Sequence, residues 1–319
     1  MPSVNVLGKD GIIKIFSFST LEQLKIDIVN NWWDALVGRR FHLRFPDRPT
    51  TEITLASILS HKSDVLLHIH LDKLKRFSKI TPDEAIKYAQ LKVFTLSCIP
   101  KGVQSDFIAD IALLDEEIIK KETDYIFDDL QRRIQCLNLD RSVECTMREF
   151  ISPLLIGAMM TANEKGLKLI CEENIEGEFG HGPVDCMMTY KSVNIVLTEA
   201  KMENIEAGVA KNICQIVASR EQHARYLAKL LGTKRKYDDL LSEMMRVASY
   251  GIITTGEEWY FLRYCGTDLI RSERLILNLN IDLDQTDWER RRKDIEVLLR
   301  WILGVIKTQV TIMNNFPTI

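Results

Sequence analysis

The spacing of apolar residues changes along the chain, and each change predicts a different element. Ser3 to Leu7 and Ile12 to Phe18 are β-prone runs separated by Gly8-Lys9-Asp10-Gly11, a hairpin signal. Behind Thr20, the residues Leu21, Leu24, Ile28 and Trp32 recur at helical spacing. Phe41 to Phe45 alternates as a strand and stops at Pro46-Asp47, and Glu52 to Leu55 and Val65 to His70 predict two more strands.

Residues 73–140 read differently. They are highly charged and carry helical periodicity. Thr81-Pro82-Asp83-Glu84 places a capping hydroxyl, a first-turn proline and two acids where a helix starts. Pro100-Lys101-Gly102 interrupts the pattern. Ile108, Ile111, Ile118, Ile119, Tyr125, Ile126, Leu130 and Ile134 then continue it, so this part is expected to be a helical connector.

From residue 141 to 319, helix and strand patterns alternate. Ser142 to Asn163 predicts a helix. Leu167 to Glu172, Pro183 to Tyr190 and Val193 to Ala200 predict three strands. Ile205 to Leu231 and Tyr237 to Val247 predict two helices, and Tyr250 to Thr254 with Trp259 to Tyr264 a hairpin. Leu275 to Ile281 reads as a strand, and Gln285 to Met313 as a closing helix. The chain as a whole is therefore expected to be α/β (α+β), in three parts: 1–72, 73–140 and 141–319.

Composition narrows the function classes. Apolar residues make up 46% of the 319, which excludes disorder as the main state. The balance of 42 Lys+Arg against 45 Asp+Glu leaves a net charge of −3, which argues against coating nucleic acid by bulk charge and leaves room for a local basic site. The seven cysteines are widely spaced with no Cys-x-x-Cys pair, which disfavours a disulfide framework or a zinc cluster and suggests an intracellular, reducing setting. No apolar run is long enough for a membrane span, and Met1 to Asp10 lacks the pattern of a secretory signal.

The candidate chemistry lies in Gly182-Pro183-Val184-Asp185 and Thr198-Glu199-Ala200-Lys201. Glu199 and Lys201 are two apart on a predicted strand and so share a face. Asp185 precedes Glu199 by one hairpin. Two carboxylates with the Ala200 carbonyl offer hard oxygen ligands for Mg²⁺ or Mn²⁺. Such a cation activates water against a phosphodiester, and Lys201 would orient that water and stabilise developing charge.

These residues, in the order helix, three strands, helix, strand, resemble the PD-(D/E)xK nuclease superfamily, with its restriction-endonuclease-like central mixed sheet flanked by helices. Here Val184 precedes the aspartate and Pro183 stands one step earlier. The resemblance implies a further acid on the first helix, Glu144 or Glu149, with Glu144 preferred because Arg148 follows it at the spacing seen in many members. It also implies a glutamine on the second helix, and Gln215 stands there. Glu144 to Phe150, the Gly208 to Gln215 segment and Tyr250 to Trp259 extend the match towards the nuclease domain of Crinkler-type effector proteins. In that family a ubiquitin-like header comes first, and the β-β-α-β-β-β order of residues 1–72 resembles a ubiquitin-like β-grasp module. The resemblance implies Mg²⁺-dependent cleavage of nucleic acid, DNA by superfamily habit, with residues 1–72 serving targeting or protein contacts, and action in the nucleus of a host cell if the chain is exported. The rival expectation is a catalytically silent nuclease-like fold that binds nucleic acid or a host protein.

Lys211, Asn212, Arg220, Arg225 and His181 are the candidates for lining a nucleic-acid channel, against the plainer reading of a solvated helix face and a loop histidine. Lys234-Arg235-Lys236 and Arg290-Arg291-Arg292-Lys293 are short basic clusters that ordinary surface charge explains as well as phosphate contact does.

Overall fold

The computed structural model describes residues 3–7, 13–17, 20–32, 41–44, 58, 66–71, 74–108, 115–137, 144–201, 204–231, 237–279 and 285–315. The described fold is mixed α/β, with a mixed sheet flanked by helices.

The N-terminal part forms its own sheet. Strands β1 (Ser3–Leu7), β2 (Ile13–Ser17), β3 (Phe41–Arg44) and β4 (Leu66–Leu71) lie in the order β2-β1-β4-β3, with β1 and β4 parallel and the other pairs antiparallel. Helix α1 (Leu21–Asn31) is capped by Thr20, whose hydroxyl accepts from Gln23 N at 3.1 Å. Leu24, Ile28 and Trp32 pack with Val6, Phe16, Leu43, Leu67 and Ile69 into a separate small core. The expected turn at Gly8 to Gly11 and the strand at Glu52 to Leu55 lie outside the described residues.

Among the described residues, the main sheet has nine strands. At one end of it lies the antiparallel meander β7 (Leu167–Glu176), β8 (Gly180–Tyr190) and β9 (Val193–Ala200). Strand β10 (Ser249–Thr254) runs parallel to β9, and β11 (Glu258–Cys265) and β12 (Asp268–Ser272) follow antiparallel. The strand β13 (Leu275–Ile276) is a two-residue addition to β11, shorter than the run to Ile281 that the sequence predicts. Strand β12, whose only apolar residues are Leu269 and Ile270, has no counterpart among the predicted strands.

The expected helical connector is in part sheet. Lys75–Arg76 (β5) pairs with β8, and Lys101–Gly102 (β6) pairs with β12. Between and after them lie α2 (Pro82–Tyr88), α3 (Gln104–Phe107) and α4 (Glu116–Cys136). Two-residue strands carry no readable alternation, so only the tertiary pairing reveals them. The predicted start at Thr81 is a full capping box, with Glu84 reaching back to Thr81 N at 2.9 Å.

Helices cover both faces of the sheet. On one face lie α4, α5 (Glu144–Ala162) and α8 (Gln285–Asn314), burying Phe150, Leu154, Leu298 and Ile302 against Val196, Ile252 and Phe261. On the other lie α2 and α6 (Ile205–Leu231), burying Ile86, Val209, Ile213 and Val217 against Leu197, Ile253 and Leu262. Adjacent strand residues therefore serve opposite cores, which explains why β9 and β10 read as continuous apolar runs. Helix α7 (Tyr237–Arg246) packs on the far end of α6. The connector is locked to α8 where Gly304 admits Ile108: a Cβ on Gly304 would lie 2.5 Å from Ile108 Cδ1. No helix of the described residues is long and apolar enough to cross a membrane.

Candidate functional site

Strands β8 and β9 deliver the two expected carboxylates to one place. The antiparallel ladder pairs Cys186 with Thr198, and beyond that rung the strands part. There the main-chain N–H of Ala200 donates to Asp185 Oδ2 at 2.8 Å, so a side chain takes the place of the next ladder bond. Asp185 is 4% exposed and Glu199 is fully buried.

The two acids are approached from opposite sides of the sheet. Helix α6 reaches Glu199: Lys211 Nζ lies 2.5 Å and Lys201 Nζ 2.8 Å from Oε1. Gln215 Nε2 donates to Glu199 Oε2 at 3.1 Å and to the Pro183 carbonyl at 3.1 Å, tying β9 to the start of the aspartate strand. Helix α5 reaches Asp185: Arg148 Nη2 donates to Oδ1 at 2.7 Å, and Arg148 Nη1 pairs with Glu172 on β7. Burial, then the nearby charge of Asp185, push the Glu199 carboxyl above the usual carboxylate range, and the ammonium groups of Lys211 and Lys201 pull against that shift.

Local backbone makes this approach possible. The helix α6 begins next to Lys201, and Gly208 leaves space for the lysine stem: a Cβ there would lie 2.8 Å from Lys201 Cγ. The main-chain N–H of Lys201 donates to the Thr254 carbonyl at 2.8 Å, which holds the end of β9 against β10. Glu172 interrupts β7 with φ 56, a left-handed conformation unusual for glutamate, between the rungs Cys171–Cys186 and Glu173–Val184. That bend brings it level with Asp185, and Arg148 forks between the two acids.

Several expected roles are revised. Glu149 is exposed and pairs with Arg133 on α4 at 2.5 Å, so it does not join Asp185 and Glu199. Glu144 is the first residue of α5, and its side chain lies outside the described residues. Arg220 is 2% exposed and donates Nη2 to the Ala248 carbonyl at 3.0 Å and Nε to the Ser249 hydroxyl, so it is an internal brace and not a channel residue. Burial lowers its pKa to about 10. Asn212 is buried and donates to the Leu197 carbonyl at 2.9 Å. Arg225 is committed to the Glu176 carbonyl at 2.5 Å. His181 stands within β8, paired with Arg76 and Glu176, about 13 Å along the strand from Asp185. Lys211, a candidate for the nucleic-acid channel, lies against Glu199.

Arg148 and Glu172 are the site residues that sequence reasoning left without a role. Arg148 was visible only as the second half of the Glu144-to-Arg148 spacing, and an exposed glutamate on a strand has no signal of its own.

The donor set suits a hard cation in type. Asp185, Glu199 and the Ala200 carbonyl are all oxygen ligands, and the raised Glu199 carboxyl beside Asp185 is the electrostatic state that a divalent cation relieves. Among the described residues, no group of three or more metal-ligating side chains occurs, and a cation at these atoms would need water to complete its shell. Three cations already face the two carboxylates: Arg148, Lys201 and Lys211. No protein-family model matches the chain, and no curated protein matches it.

Proposed function

We propose that this chain hydrolyses phosphodiester bonds in nucleic acid, DNA in the first instance, with a divalent cation. The observation that carries the reading is the meeting of Asp185 and Glu199 at the parted ends of β8 and β9, with Lys201 on Glu199 and Gln215 bridging both strands. The cation, when bound, would activate water and neutralise phosphate charge. Asp185 and Glu199 would hold it, and the Ala200 N–H would keep the Asp185 carboxylate turned towards β9. Lys201 would move from Glu199 towards the attacking water and the phosphate oxygens. Gln215 would keep Glu199 oriented through its second oxygen.

The order of α5, β7, β8, β9, α6 and β10 supports a restriction-endonuclease-like core of the PD-(D/E)xK type. The sheet order β2-β1-β4-β3, with β1 parallel to β4, supports a ubiquitin-like reading of residues 1–72. Both agree with a Crinkler-like effector in which the first module serves targeting or protein contact.

One observation favours a second reading. Each carboxylate already has a cationic partner, which suits a silent nuclease-like platform that binds nucleic acid or protein without cleaving it. The two readings separate in one experiment. The full chain is incubated with plasmid DNA, or a single-stranded RNA, and Mg²⁺ or Mn²⁺. Cleavage that falls at least about 100-fold in Asp185→Ala and Lys201→Ala supports hydrolysis. Equal cleavage by wild type and both variants overturns it. Retained binding of nucleic acid without metal-dependent cleavage selects the platform.

A further inference from the structure

We infer that Cys171 and Cys186 form a thiol–disulfide exchange site, a covalent modification site for a low-molecular-weight disulfide of the glutathione class. The two residues are direct partners in the antiparallel β7–β8 ladder. Their Sγ atoms are 3.8 Å apart. Directly opposed residues of an antiparallel pair have Cα atoms about 4.5–5.5 Å apart, which lies inside the range that a disulfide spans. Closing the bond asks each sulfur to move by less than about 1 Å.

The two thiols differ in access. Cys171 is exposed, and Cys186 is 6% exposed. The order of reaction follows. The Cys171 thiolate attacks one sulfur of the external disulfide, forming a mixed disulfide and releasing one small thiol. The Cys186 sulfur then attacks the Cys171 sulfur, and the second small thiol leaves with the Cys186 proton. The pair loses two electrons and two protons, and one external disulfide becomes two thiols.

The other described cysteines lack this pairing. Cys98 and Cys136 are exposed, with Cys98 accepting from the Thr95 hydroxyl. Cys214 is buried in the α6 core, and Cys265 donates to the Arg246 carbonyl. Position adds a consequence. Cys171 precedes Glu172 and Cys186 follows Asp185, so the new bond would staple the rung beside the Glu172–Arg148–Asp185 bridge. This inference stands on the thiol geometry and does not depend on the hydrolytic reading.

The test uses the full chain in buffers of graded oxidised to reduced glutathione. Free thiols are trapped by alkylation and the products are read by intact mass and peptide mapping. The expected result is a peptide cross-linked through Cys171 and Cys186, lost on reduction, while Cys98 and Cys136 remain alkylated or carry only glutathione. Cys186→Ser and Cys186→Ala should each stop at a mixed disulfide on Cys171, and Cys171→Ser should leave Cys186 unmodified. Two results overturn the inference: wild type that stays alkylatable at both positions across the series, or wild type that stops at the same mixed disulfide as Cys186→Ser.

Discussion

Lys211 lies 2.5 Å from the buried oxygen of Glu199, which also receives Lys201 at 2.8 Å. Two ammonium groups therefore share one carboxylate oxygen, and Lys211 is the one that the nuclease reading does not use. A unit charge at about 4 Å is worth on the order of 4 kcal/mol at the effective dielectric near a protein surface, before solvent reduces it. Lys211→Met is expected to tighten Mn²⁺ binding on the order of tenfold, measured by titration calorimetry. Unchanged or weaker binding in a folded variant would contradict the view that Lys211 competes with a cation for Glu199.

The bend at Glu172 has a conformational test. At φ 56 a β-branched residue is strained and glycine is not. The ion pair with Arg148 leaves the Glu172 side chain 65% exposed, so its loss costs at most about 1 kcal/mol. Glu172→Gly should leave the denaturant midpoint nearly unchanged, and Glu172→Val should lower stability by about 1–3 kcal/mol. Equal tolerance of both would show that the left-handed backbone is not held at this position.

Glu221 gives a pH signature away from the carboxylate pair. It accepts from the Tyr88 hydroxyl and from Glu178 N, both at 2.6 Å, and burial raises its pKa from 4.5 to about 7. The folded state thus holds the proton more tightly than the unfolded state. The stability that this group contributes is full below pH 4.5 and is lost as the pH rises through about 7, a change on the order of 3 kcal/mol. Glu221→Gln keeps an acceptor and removes the titration. Thermal unfolding from pH 5 to pH 8 should show a smaller decline for the variant than for wild type, with the variant the more stable at pH 8. Parallel curves would refute the assignment.

Asn212 and Gly251 test how α6 is seated. A Cβ on Gly251 would lie 1.7 Å from Asn212 Oδ1, so Gly251→Ala must displace the side chain that holds the Leu197 carbonyl. The expected cost is about 1–3 kcal/mol. In the double variant with Asn212→Ala the clash with Asn212 disappears, and the double variant should cost less than the sum of the two single variants by at least about 0.5 kcal/mol. Strict additivity in chemical unfolding would separate the two residues.

Much of the candidate site is legible in the sequence, and the limits are physical. Asp185, Glu199, Lys201 and Gln215 stood out because their residue types sit at strand ends and on a helix face that local periodicity places. Glu149 and Glu144 could not be ranked by contact, since neighbouring helical positions face different partners. Arg220 and Asn212 looked like surface residues because a helix packed on a sheet buries polar groups wherever the opposing backbone supplies a partner. The strands β5 and β6 were unreadable because two residues show no alternation.

By itself the sequence determined the elements whose apolar period is long and unbroken, and β9 at Val193–Ala200 and α6 at Ile205–Leu231 have the predicted bounds. The tertiary structure alone decided which cation meets which acid. Arg148 and Asp185 are 37 positions apart, and Lys211 reaches Glu199 only because α6 lies across the end of β9. Local patterning reports which way a residue faces. Partners that distant are set by helix packing on the sheet, where a shift of one turn would exchange every contact.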